Sequence, residues 1–448
     1  MRDYDDFAPL EIVSAKGSRL RLSDGREILD AISSWWCKAL GHGHPALLAA
    51  LRAQAEAFEH VITANTTSAP LVRLCERLLA AANGAAPAAW GAAAPPGRAA
   101  GHFGKVFLAD NGSTAVEIAL KMALQAQAQR GQGRRTRFAA LANGYHGETV
   151  GALSVGDADL YSSPYRALLF PVTKLAGLPY RSGPEDPRWM DASAEWPALE
   201  RALDAEAETL AAVIYEPVLQ AAGEMRLYSP DLLARLRRWA DARGIYLIAD
   251  EIAAGMGRLG AILASHLADG ALPDFATLSK GLTGGVLPLS AVLTTDAVAS
   301  LFEADWAEGR AFLHSNTYTG NALGVAVANA VLDVFAADDV LGRVAKHGPA
   351  LRGALAELAR ARPDLPFAGV RGSGMMAAVD LRGPDGAPLD PARRTGYRVY
   401  REAVRRGVLL RPIGDTMYLY PPLLVEPADV REMVAVLEAS VDAVVRSG

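Results

Sequence analysis

The feature that most constrains this chain is an alternation through its middle, where short apolar runs are separated by segments with apolar residues at helical spacing. The runs are Lys105 to Leu108, Phe138 to Ala142, Ala211 to Tyr215, Ile245 to Ala249 and Phe275 to Leu278. Strands alternating with helices predict an α/β domain with a mostly parallel sheet covered by helices. Upstream, Glu11 to Ile32 reads as strands around a turn at Ser23, Asp24 and Gly25, with alternation in Ser18 to Leu22. Residues 1–45 are therefore expected to pack with a smaller domain. Downstream, a helical pattern runs from about Asn329 to Gly369. Gly374 to Leu381, Val408 to Arg411 and Met417 to Tyr420 then read as strands of an α+β unit. A large domain over 46–329 and a small one over 330–448 follow from this. Between Ala81 and Gly104 the chain is mostly Ala, Pro and Gly around an isolated Trp90, a composition expected to form a surface insertion that orders itself poorly.

With 448 residues and 51% hydrophobic content, the chain can bury a large core. The formal net charge is -5, with acids and bases spread along the chain, so no basic face is available for a run of phosphates and nucleic acid is not an expected partner. Met1 to Phe7 is acidic and leads into no apolar signal core. No later apolar run approaches the roughly 20 residues of a membrane helix. A cytoplasmic protein without membrane contact is the expectation. Cys37 and Cys75 are the two cysteines, and neither lies in a CxxC pair, so neither a disulfide framework nor a thiolate metal site is expected.

Five places could carry chemistry. An apolar run ends in Asp250 and Glu251, and the next ends in Ser279, Lys280 and Gly281. The carboxyl edge of an open α/β sheet is where ligands bind. A desolvated Lys there can attack a carbonyl, and a pyridoxal ring would need a buried carboxylate such as Asp250 to hold the proton on its nitrogen. A structural salt bridge is the alternative. Asp110 to Thr114 follow a strand and open a helical pattern, where free N–H groups and the helix dipole suit a phosphate, while simple N-capping by Ser113 or Asn111 is the commoner use. Asn143 to Gly147 hold Tyr145 and His146 between glycines, fitting either a stacked planar ligand or a core Tyr and a structural His. Near the end, Arg411 follows Leu410 in an apolar setting, suited to a substrate carboxylate or to an internal acid partner. Trp35 and Trp36 read as core aromatics or as an apolar wall for a long substrate.

Taken in order, NGST at 111, NGYHG at 143, YEPVLQ at 215, ADE at 249, SKG at 279 and NTYTGN at 316 resemble the class III aminotransferases over nearly the whole chain. The resemblance implies a type I fold of the pyridoxal-phosphate enzymes. It implies that Lys280 carries pyridoxal 5'-phosphate covalently, that Asp250 holds the pyridine nitrogen, and that Tyr145 stacks on the ring. Gly112 and Ser113 would hold the phosphate, and Thr317 of a neighbouring subunit would complete that site in a homodimer. Ser315 and Asn316 fall in the ligand-contacting loop ahead of Thr317. SSWW at 33, the following GHGHP, LRPIG and YLYPP look like the branch acting on 8-amino-7-oxononanoate. That implies conversion to 7,8-diaminononanoate in biotin biosynthesis, with S-adenosylmethionine as amino donor, Trp35 lining the acid pocket and Arg411 binding the distal carboxylate. An ω-aminotransferase with another amine and keto acid, a decarboxylase or aminomutase on the same fold, and a non-enzymatic cofactor-binding protein are the alternatives. One departure is that members usually begin with a segment holding a Trp, a His-Pro pair and a Tyr that reaches the active site. Met1 falls just after where that segment would end, so a start upstream of Met1 is an open alternative.

Overall fold

Alternation buries one side chain in two at the start of the chain. In β2 (Arg19–Leu22), Leu20 and Leu22 face inward while Arg21 is exposed. β2 pairs antiparallel with β1 (Ile12–Lys16) and, across the turn at residues 23–26, with β3 (Glu27–Asp30). The computed structural model describes residues 7–90, 101–157 and 159–446.

A seven-stranded sheet forms the middle of the chain. Its strands are β4 (Lys105–Ala109), β5 (Arg137–Leu141), β6 (Val172–Leu175), β8 (Leu210–Tyr215), β11 (Tyr246–Asp250), β12 (Phe275–Leu278) and β13 (Ser290–Thr294), in the order β4-β13-β12-β11-β8-β5-β6. β12, β11, β8, β5 and β6 run parallel, and β13 is antiparallel to both its neighbours. The fold class is α/β. All residues of β8, β11, β12 and β13 are buried, as expected of strands covered on both faces. The helix Gly112–Gln129 supplies Ala115, Val116, Ala119 and Ala123 to the core over this sheet. β7 (Tyr180–Arg181), β9 (Leu219–Gln220) and β10 (Arg226–Tyr228) make a small separate sheet.

The helical pattern after Asn329 resolves into two helices, Ala322–Ala337 and Val340–Ala361, interrupted where Asp339 takes a positive φ of 44°. The strand β14 (Phe367–Ser373) is already under way at Gly369, where the sequence pattern still read as helix. Gly369 itself has a positive φ, and the register shifts between Ala368 and Arg371. β14 pairs with β15 (Met376–Leu381), and β15 with β17 (Thr416–Leu419). β16 (Val408–Leu409) instead joins β3 in parallel, with Asp30 opposite Leu409. The chain divides into two compact units. The smaller takes the described residues up to Pro45, residues 258–260 and the chain from Val340 onward, and the larger takes the rest. The division falls after Asp339, beyond the position near residue 330 read from the sequence. No helix of the described residues is long and apolar enough to cross a membrane.

The flanks of the 81–104 stretch are not loose. Trp90 is 1% exposed, donates its indole N–H to the Ala85 carbonyl at 2.8 Å, and lies 6.5 Å from the Phe335 ring. Phe103 is buried, and its backbone exchanges two 2.9 Å hydrogen bonds with the Asn83 side chain. Composition misled here because one buried indole removes as much apolar surface as several alanines. Residues 91–100 of the expected insertion lie outside the described residues.

In the smaller unit the Arg258 guanidinium is buried over the Tyr420 ring at 3.6 Å and donates to the carbonyls of Met375 at 2.6 Å and Pro421 at 2.7 Å. Gly374, at φ 54°, is what lets this segment lie so close, since a Cβ there would sit 2.7 Å from Leu259 Cα. Gly374→Ala is expected to cost about 2 kcal/mol or more, read as a lowered midpoint in denaturant titration with unchanged slope.

Candidate active site

The parallel register of β11 and β12 places Asp250 opposite Thr277, so Ser279 and Lys280 leave the sheet one strand over from the acid. Lys280 opens a short turn of 3-10 helix with a positive φ of 36°, a strained conformation for a non-glycine residue and one that clusters at functional sites. Ser279 anchors the turn by donating to the Leu289 carbonyl at 2.9 Å.

Asp250 is 4% exposed. One oxygen lies 2.8 Å from His146 Nδ1, and the other accepts the Ile252 N–H at 3.1 Å. His146 is buried as well, and its Nε2 has no hydrogen-bond partner among the described residues. The imidazole is thus neither a core residue with both nitrogens satisfied nor a lone base. It is the partner that makes a buried carboxylate tolerable. Tyr145 donates its backbone N–H to Glu216 at 3.0 Å and its hydroxyl to Glu148 at 3.0 Å, and its ring stands 5.9 Å from that of Tyr161. Burial, then the neighbouring Glu148, raises the Tyr145 hydroxyl well above its ordinary value, so the phenol stays protonated.

At the start of the helix Gly112–Gln129, Asn111 is the N-cap and forms a reciprocal capping box with Thr114. Ser113 therefore sits inside the first turn rather than capping it. The Gly112 and Ser113 N–H groups point out of the helix start with no intrahelical acceptor. Gly112 packs against Ile252, so tightly that a Cβ would come 2.9 Å from Ile252 Cδ1, and Gly147 packs against Ser113. The helix start, the Tyr145 loop and the segment after Asp250 are thereby brought together.

Residues 2–441 match the model of the class III aminotransferases. The chain belongs to that family. It is 39% identical to the adenosylmethionine-8-amino-7-oxononanoate aminotransferase of Synechococcus elongatus, over 97% of this chain and 95% of that protein. Among solved structures, an amine transaminase from an uncultivated Pseudomonas species in its PLP-bound form superposes with a TM-score of 0.86 and 34% identity, covering 98% of this chain and 96% of that one. The adenosylmethionine-8-amino-7-oxononanoate aminotransferase of Methanocaldococcus jannaschii gives 0.85 and 29%, covering 99% and 95%.

The other expected residues of this class III aminotransferase belong to the loop before the helix Ala322–Ala337 and to the smaller unit. Ser315 and Thr317 are exposed in the loop before the helix Ala322–Ala337, and the Asn316 N–H donates to Thr319 at 3.2 Å. Trp35 and Arg411 belong to the smaller unit. Arg411 is exposed rather than enclosed by apolar side chains. Its guanidinium lies 5.5 Å from the Trp35 ring and 5.8 Å from the Tyr400 ring, and no carboxylate among the described residues pairs with it. Trp35 is 55% exposed, whereas Trp36 is buried and donates its indole N–H to the Tyr418 hydroxyl at 3.1 Å. Ser33, Ser34, Trp35 and Trp36 all have positive φ, between 44° and 70°. This left-handed turn costs on the order of 1–2 kcal/mol per residue.

Two further acids, Glu216 in YEPVLQ and Glu251 beside Asp250, stand in the sequence motifs without an assigned role. Glu216 follows an apolar strand as Asp250 does, and is buried, accepting the N–H groups of Tyr145 and Ala221, each at 3.0 Å. Burial, then the nearby Asp250, pushes its carboxyl up to about 8. Glu251 is buried against the Ala264 and Ser265 N–H groups at 2.7 and 2.9 Å, and burial pushes it up to about 7. Acids with raised values hold protons more tightly folded than unfolded. Their effect is therefore to weaken folding as pH climbs from the ordinary carboxyl range through about 7 and about 8. Thermal unfolding of the cofactor-free protein followed against pH should show that decline, and Glu216→Gln should lessen it above neutrality.

Proposed function

We propose that this chain transfers the amino group of S-adenosylmethionine to the ketone of 8-amino-7-oxononanoate, forming the 7,8-diaminononanoate of biotin biosynthesis, with pyridoxal 5'-phosphate as cofactor, as a cytoplasmic homodimer. The observation that carries the substrate assignment is Arg411, a guanidinium flanked by two aromatic rings, one of them on the half-exposed Trp35, with no acid partner among the described residues. An acid with a long aliphatic chain supplies both what the charge lacks and what the indole can cover. The identity with the Synechococcus relative supports the same reading.

The residues present fit the cofactor. A buried carboxylate already oriented by His146, an amine at the next strand end, two helix-start N–H groups without acceptors and a glycine admitting no Cβ make a donor set for a protonated ring nitrogen, a carbonyl and a phosphate. Asp250 would hold the ring nitrogen, Gly112 and Ser113 the phosphate with Thr317 of a second subunit, Tyr145 the ring face, and Ser315 and Asn316 the rim. When bound, pyridoxal phosphate supplies a carbonyl carbon that accepts the amino group and a ring that draws negative charge from the donor's α-carbon. The part of Lys280 Nζ is to move the proton off that α-carbon, as a base released once the donor's amine takes its place. Asp250 is held in place for this by His146 and the Ile252 N–H. The dimer is supported by exposed apolar residues: Leu313 and Tyr318 in the loop that holds Thr317, and Val61 and Ile62 next to His60, whose ring lies 5.3 Å from that of Tyr318.

The test is spectroscopic. With the holoenzyme, S-adenosylmethionine alone should change the cofactor absorbance, and 8-amino-7-oxononanoate should restore it. Restoration by an unrelated keto acid but not by this one would favour an amine transaminase instead, the activity of the Pseudomonas structural relative. Lys280→Ala should abolish the cycle. Arg411→Ala should raise KM for the acid by roughly 10- to 100-fold, the loss of a charged hydrogen bond of about 1.5–3 kcal/mol, with the donor half-reaction unchanged in stopped-flow traces.

A further inference from the structure

The left-handed turn that carries Trp35 has a single buried acid behind it. Asp30, at the end of β3, is 0% exposed. Its Oδ1 accepts the N–H groups of Ile32 at 3.2 Å and Ser34 at 3.1 Å, and its Oδ2 accepts the Ser34 hydroxyl at 2.7 Å and faces His42 Nε2 at 2.8 Å. His42 is fixed in turn, because its backbone exchanges hydrogen bonds with Gly17 at 2.8 and 2.9 Å. Burial alone would raise the Asp30 carboxyl, yet the bonds from His42 and Ser34 overcome it and hold the group below its ordinary range. On the inner side, Ser33 donates its hydroxyl to the Tyr420 carbonyl at 2.7 Å and the Trp36 indole is bonded to Tyr418.

Four consecutive non-glycine residues with positive φ persist only where surrounding contacts over-determine them. Asp30 supplies those contacts to Ile32 and Ser34, while Ser33 and Trp36 are held by Tyr420 and Tyr418. The backbone at the same strand end also pairs with the strand that leads to Arg411. Asp30 stands opposite Leu409 in the parallel pair, and the Ala31 N–H bonds to the Leu409 carbonyl at 3.2 Å. Trp35 and Arg411 thus leave one strand pair, and one carboxylate sets the path of the first. We propose that Asp30 is a positioning residue for the acceptor acid: its carboxylate, oriented by His42, holds the left-handed turn that sets the Trp35 indole beside the Arg411 guanidinium. The proposal rests on the reading that Trp35 and Arg411 receive the acceptor.

Asp30→Asn keeps one acceptor oxygen and loses the other. Ser34→Ala is milder, removing one hydroxyl and leaving the carboxylate. Both are made in the holoenzyme with Trp35 intact and with Trp35→Phe, so that the difference in acrylamide quenching of fluorescence reports Trp35 alone. Asp30→Asn is expected to change that Trp35 quenching and to raise KM for 8-amino-7-oxononanoate roughly tenfold or more, leaving the donor half-reaction rate unchanged. The KM effect should vanish in the Trp35→Phe background, as it must if Asp30 acts through that side chain. Folded Asp30→Asn with unaltered Trp35 quenching, or with an equal KM effect in both backgrounds, overturns the proposal. Altered quenching with no change of KM in either Asp30→Asn or Arg411→Ala overturns the acceptor-site reading itself. Where Asp30→Asn does not fold, Ser34→Ala decides by the same readouts.

Discussion

A carboxylate buried at the end of an apolar strand is the constraint around which the catalytic half of this molecule is arranged. Asp250 is charged only at a desolvation cost that no single contact offsets. His146 and the Ile252 N–H meet that cost together, and each comes from a different turn. The loop 143–147 must therefore return to the sheet edge, which brings Tyr145 and Gly147 with it. Gly147 then lies on Ser113, and Gly112 on Ile252, so the helix start is drawn into the same cluster. Glu216 completes it by accepting the Tyr145 N–H, and burial first, then the nearby Asp250, raises its carboxyl. One cluster thus holds a carboxylate bonded to an imidazole and a second acid whose carboxyl burial raises.

What could be read in the sequence divides along physical lines. The parallel strands were legible because burial on both faces leaves a nearly continuous apolar run, as in β8 and β11. The strands β6 and β13 are not legible in this way. β13 carries Ser and Thr at its ends, and β6 a Lys174 whose ammonium reaches the Val155 carbonyl at 2.8 Å, so neither reads as continuously apolar. Asp250 and Lys280 could be placed at strand ends from residue order alone, but their partners could not, since His146 is 104 residues from Asp250. The left-handed turn at Ser33 to Trp36 was invisible. Nothing in SSWW favours positive φ, and the conformation comes from Asp30 and the side chains of the C-terminal strands. Trp90 shows the opposite error, a local composition that reads as loose and a single side chain that ties it down.

Two of the places where non-glycine residues take positive φ, Lys280 and the turn before Cys37, carry residues assigned to chemistry and to the acceptor. Strain of this kind holds a side chain where relaxed backbone would not deliver it. It also means that local propensity argues against the functional conformation at both places, and longer-range contacts must outvote it.

The strand order has a bearing on how the chain comes to be assembled. β4 lies at one edge of the large sheet and hydrogen-bonds only to β13, which begins at Ser290, while the strands β5 and β6 that follow β4 in sequence lie at the far edge. The first strand of the sheet to leave the ribosome is thus among the last to find its neighbour. β3 waits longer still, for β16 at Val408. Until Ser290 is made, β4 has no strand partner in the sheet, and such intermediates expose unpaired edges. The reversed strand β13, which looks like a minor irregularity in a parallel sheet, is the piece that closes this open edge, and a chain halted before residue 290 lacks it altogether.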